Sequence, residues 1–140
     1  MDKPTATQSA IQAFEKTLCG KRFSQLFEIL RGQGLVPLGK ANTDTLLFQY
    51  VAGNERLPVL AFRHKPEPVI SFPANYWACR ASIRLELCKS FDIGEMPQVS
   101  RAFASPSSQS SGQVVIKEAT MDRLRELCLQ VCSYVESQHA

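Results

Sequence analysis

The stretch LVPLGKANTDTLLFQYVAGNERLPVLAFRHKPEPVISF, residues 35–72, decides the fold class. It holds four short apolar runs, Leu35 to Lys40, Thr45 to Val51, Leu57 to Arg63 and Val69 to Phe72. Between them stand Asn42-Thr43-Asp44, Gly53-Asn54 and Lys65-Pro66-Glu67-Pro68, clusters whose residues tolerate or preset turn conformations. Connections this short join antiparallel neighbours, because a parallel pair needs a crossover of about a dozen residues or more. The stretch therefore predicts an antiparallel meander. Pro37 and Pro58 have no N–H to give to a ladder, which places their strands at an edge or starts the strand at the proline.

On the N-terminal side, Ile11, Phe14 and Leu18 recur at helical spacing over Thr7 to Leu18, and Phe23, Leu26, Phe27 and Leu30 do so over Lys21 to Arg31. At about 100° per residue the two stripes would diverge on one rod by roughly a third of a turn, so a break or kink is expected at Gly20. Gly32 and Gly34 are suited to closing the second helix. On the C-terminal side, Pro73 opens a helix expected over Ala74 to Phe91. Ser82 to Leu87 within it alternates polar and apolar residues, which is also the pattern of a half-buried strand. Asp92 to Gln113, with its Ser-rich run, reads as loop, flexible at about 100–112. Val114 to Lys117 reads as a short strand. Thr120 is the expected cap of a last helix, Met121 to Glu136, striped by Met121, Leu124, Cys128, Val131 and Val135. His139, next to last, is expected to fray. The prediction is one α+β domain over residues 1–140, a mostly antiparallel sheet of four to five strands with helices packed on one face.

Composition bounds the function. At 44% apolar and 21% charged residues the chain is not of the disordered class, and 140 residues can hide roughly two thirds of their unfolded surface. The net charge of +3 is concentrated between residues 16 and 101, where twelve Lys/Arg face seven Asp/Glu. That permits an anionic partner but is thinner than a dedicated nucleic-acid surface. Five cysteines without framework spacing and no Asn-x-Ser/Thr site argue against secretion, and no apolar run approaches the roughly 20 residues of a membrane span. The expected location is the cytoplasm, with no membrane partner.

Within the helix after Pro73, Tyr76, Ile83, Leu87 and Phe91 flank Arg80 and Arg84 on one side, and Trp77, Ala81, Leu85 and Cys88 on the other. A guanidinium keeps its charge inside a protein and so must find a carboxylate, a phosphate or water. Arg80 and Arg84 are therefore the candidate anion site, and with Tyr76 and Trp77 they form an Arg-plus-aromatic patch of binding-hot-spot type. Against this stand internal pairing with Glu67 or Glu86, or stems lying over the core with heads in water. Arg63 and Lys65, around His64, form a second basic cluster, which Lys21-Arg22 and Arg56 would join if the fold brings them near; a solvated strand end is its bland reading.

His64 is the one histidine outside the tail and the one candidate for histidine catalysis. Cys128 and Cys132, four apart on a helix, could present two thiolates to a metal with Cys79 and Cys88, but Cys128 continues an apolar stripe and core cysteines are expected. A metal nuclease needs clustered acids beside a lysine, whereas Asp44, Glu55, Glu67 and Lys65 fall in turns. Phosphate-loop, nucleophile-elbow, HExxH and GxGxxG motifs are missing too. No metal, cofactor or catalytic set is assigned. The expected function is a non-enzymatic binding or adaptor protein that contacts a macromolecular partner, protein ahead of nucleic acid, through Tyr76, Trp77, Arg80 and Arg84, then Arg63 and Lys65. The rivals are a small enzyme on a phosphate-bearing substrate, with His64 or an acid moving the proton, and a homo-oligomer joined through Trp77 and Phe91.

Overall fold

The computed structural model describes residues 5–39, 45–64, 68–87 and 113–139. Its five strands are β1 (Val36–Gly39), β2 (Thr45–Ala52), β3 (Glu55–Arg63), β4 (Val69–Ser71) and β5 (Gln113–Val115), each within two residues of its expected ends. They lie side by side in chain order and every pair is antiparallel, so the meander is as the turn chemistry implies. With α1 (Ala6–Glu15), α2 (Gly20–Gly32) and a long C-terminal helix, Met121–His139, the fold is α+β.

Strand alternation divides the sheet into two faces. Leu46, Phe62 and Ile70 stand opposite one another across β2, β3 and β4, with Phe48 and Leu60 in the next row, and all five are fully buried. They join one apolar cluster with Phe14 of α1, Phe23, Leu26, Phe27 and Leu30 of α2, and Leu124, Cys128, Val131 and Val135 of the C-terminal helix. The helical stripes read from sequence are thus the surfaces that meet this face. Phe62 lies at the centre, its ring edge-on to Phe27, Phe48 and Phe23 at centroid distances of 4.9, 5.6 and 6.3 Å.

Pro37 lies on β1, at the sheet edge, as expected. Pro58 corrects its expectation, because β3 is an interior strand and the proline is neither at an edge nor at the strand start. A register shift solves the problem: Phe48 faces Leu60 while Gln49 faces Pro58, so Val59 is an extra residue, a bulge. β4 pairs only with residues 61–63 of β3 and never reaches the proline. The bulge leaves the Val59 carbonyl to accept a hydrogen bond from the indole N–H of Trp77, at 2.7 Å.

The corner between the first two helices also differs from the expectation. The first helix ends at Glu15, before Gly20, and the chain turns over residues 16–19. Thr17 drives this stop, because its N–H and its hydroxyl both donate to the Phe14 carbonyl, at 3.2 and 2.7 Å. Leu18 is consequently thrown out of the stripe and is fully exposed, at 105%. Gly20 opens α2 so close to α1 that a Cβ there would lie 2.0 Å from the Glu15 carbonyl oxygen. Gly20→Ala must therefore push the two helices apart, and we expect a loss of about 1–3 kcal/mol in urea unfolding. Gly34, with φ of 93°, closes α2 as the glycine pair suggests.

The ambiguous segment after Pro73 is helical in three pieces: α3 (Ala74–Trp77), a 3₁₀ turn (Ala78–Arg80) and α4 (Ala81–Leu87). The strand alternative for Ser82 to Leu87 is excluded, and the expected single rod is interrupted by the tighter turn. The C-terminal helix, α5 (Met121–His139), follows a 3₁₀ turn, Glu118–Thr120. Thr120 does not cap as expected; its hydroxyl donates back to the Lys117 carbonyl at 3.1 Å. His139 does not fray, since α5 runs through it and its ring meets Tyr50 and Tyr76. The Ser-rich run at 100–112 lies outside the described residues.

Candidate functional site

The site is built where α3 meets the hairpin end of the sheet and the end of α5. Trp77 is 0% exposed, wedged edge-on to Phe72 and Tyr76 and stacked on Tyr134 of α5. It is a core residue, unavailable to a partner, which removes it from the contact patch and from any symmetric interface. Phe91, its supposed companion there, lies outside the described residues. Tyr76, the neighbouring aromatic, is 4% exposed, and its hydroxyl lies 3.2 Å from Nε2 of His139. Burial pushes the pKa of this phenol above its ordinary value, with Arg80 pulling in the opposite direction.

Arg80 is the surface member. Its guanidinium carbon lies 4.2 Å from the centre of the Tyr76 ring, in cation–π contact. Its Nη1 donates to the Tyr76 carbonyl at 2.7 Å and towards Cys79 Sγ at 3.3 Å. A short helix leaves its last carbonyls without intrahelical donors, and a cation four residues on meets one of them. The charge is thereby accommodated without an acid: among the described residues Arg80 meets no carboxylate, and its Nε and Nη2 make no bond. Ile83, about one turn further, is left 37% exposed.

Of the other predicted basic residues, the one whose side chain is described, Arg63, does not gather with Arg80. Arg84 is on α4, but its side chain lies outside the described residues, as does all of Lys65. Arg63 ends β3, opposite Thr45 and Val69, whereas Tyr50, which touches His139, faces Leu57 near the start of that strand. Six residues of strand separate these ends, about 20 Å. His64, beyond Arg63, packs edge-on against Phe14 with centroids 4.7 Å apart. An enzyme site combining Arg80 with His64 is therefore not assembled. Arg22 is also on the far side, paired with Glu118 at 2.9 Å and near the Ile116 carbonyl at 3.4 Å. Tyr50, Tyr134 and His139 were missed as members of the site. The one sequence signal for His139 is that it stands four residues after Val135, in register with the α5 stripe.

Cys128 and Cys132 are buried in the core, and among the described residues no three His, Cys, Asp or Glu side chains gather as metal ligands do. Burial pushes both thiols above their ordinary 9.0, Cys132 to about 11 with Glu136 adding to the rise, and Cys128 further still. The folded protein thus keeps protons that the unfolded chain releases above pH 9, so this stability is complete below pH 9 and is lost as pH climbs to 11 and beyond. The unfolding free energy from urea titrations at rising pH is expected to fall in that window, by about 1.4 kcal/mol per pH unit for each thiol.

No described helix is long and apolar enough to cross a membrane. Comparison with protein families, with curated proteins and with solved structures gives no match.

Proposed function

We propose that this protein is a non-enzymatic binding module, an adaptor that contacts a macromolecular partner through the surface led by Arg80. One observation carries the reading: a permanent cation is held in place by Tyr76 while the rest of its donors have no partner among the described residues. Fixed donors of this kind favour association, because less side-chain freedom is lost on binding. A protein partner is preferred to nucleic acid, since phosphate tracking needs several cations along one surface and, among the described residues, Arg22 and Arg63 lie at the opposite end of the sheet from Arg80. The four described cysteines are free thiols, which supports a reducing, cytoplasmic setting.

The test is a pull-down from the native host with wild-type protein and with Arg80→Ala. The expected result is a defined partner retained by the first and lost by the second, with urea stability changed by less than about 1 kcal/mol. Equal retention by both proteins overturns the reading. Light scattering of the pure protein separates a partner of another kind from a second copy of this chain.

A further inference from the structure

Arginine offers five N–H donors in a rigid plane. In Arg80 the two on Nη1 are directed at the Tyr76 carbonyl and the Cys79 sulfur. The three that remain belong to Nε and Nη2, and Nε–H with one Nη2–H runs parallel along a single edge of the plane. That edge matches the two oxygens of a carboxylate. The plane cannot turn freely, because it lies against the Tyr76 ring, and Tyr76 is itself buried and held at its hydroxyl by His139. Ile83, three residues further along the chain on α4, is an exposed apolar side chain.

We infer that this edge of Arg80 takes one carboxylate, the side chain of an Asp or Glu in a partner protein, with an apolar neighbour of that residue resting on Ile83. The inference rests on the binding role proposed above and names the group recognised. Arginine is among the residues that dominate protein hot spots. A phosphodiester chain would instead need several cations along one surface, and of the described ones Arg22 and Arg63 stand at the other end of the sheet.

Selection of short random peptides on the full-length protein tests this, followed by calorimetry on the best binder. The expected peptides share an acidic residue next to a bulky apolar one. Changing the acid to its amide is expected to weaken binding about 30-fold, as is Arg80→Lys, which keeps the charge but loses the fork. The two changes together should do no more than either alone, and Arg63→Lys should leave affinity unaltered. Binders without an acid, no binders at all, or full affinity in Arg80→Lys would each overturn the inference. So would displacement of the peptide by a single-stranded oligonucleotide or by inorganic phosphate at equal concentration. A host partner that Arg80→Ala loses while no acidic peptide binds removes only the carboxylate; a pull-down indifferent to Arg80→Ala removes the binding role as well.

Discussion

Trp77→Ala is expected to lower the unfolding free energy by about 3–5 kcal/mol, a large part of the roughly 5–15 kcal/mol that holds a domain together. Two losses add. The fully buried indole leaves a cavity between Phe72, Tyr76 and Tyr134. In addition the Val59 carbonyl, at the bulge, loses the indole N–H that donates to it. Trp77→Phe separates the two: it fills most of the space but removes that donor, for which about 1–3 kcal/mol is expected. Urea titration followed by far-UV circular dichroism measures both variants, since the chain has a single tryptophan and fluorescence would vanish with it. A loss below about 1 kcal/mol for Trp77→Ala would mean that the residue is not the core wedge described.

The second large effect is expected at Phe62. Its ring is met edge-on by Phe23, Phe27 and Phe48, so it joins both α2 and β2 to the centre of the sheet. Phe62→Ala should cost about 3–5 kcal/mol, through lost burial and a cavity that rigid neighbours cannot close. Leu18→Ala is the internal control. Leu18 continues the helical stripe of Ile11 and Phe14 in sequence but is fully exposed, and its replacement should alter stability by no more than about 0.5 kcal/mol. Equal losses at Phe62 and Leu18 in the urea midpoints would contradict the placement of the α1–α2 corner.

The contrast between those residues shows how far a pattern can be read. The strands of residues 35–72 were legible because turn clusters act over two to four positions and need no distant partner. Phe23, Leu26, Phe27 and Leu30 were legible for the same reason, since one turn of helix sets their common face. Leu18 was not, because a hydroxyl at Thr17 competes for the Phe14 carbonyl and ends the helix first. At the candidate site, Arg80 was found by asking what a permanent charge does among apolar neighbours. Trp77 was assigned to the surface by the same reasoning, which has no means of telling a hot-spot aromatic from a core one.

The sequence by itself determined the order of elements, the antiparallel meander and the apolar faces. Tertiary structure alone decided which aromatic is buried, how an interior strand accommodates Pro58, and that His139 closes on Tyr76. The reason is the range of the forces involved. Propensities and turns are settled between near neighbours, whereas the Trp77 to Val59 bond spans 18 residues and the Tyr76 to His139 contact 63. Such pairs have no signature in either partner, and they exist only once the sheet and α5 have packed against each other.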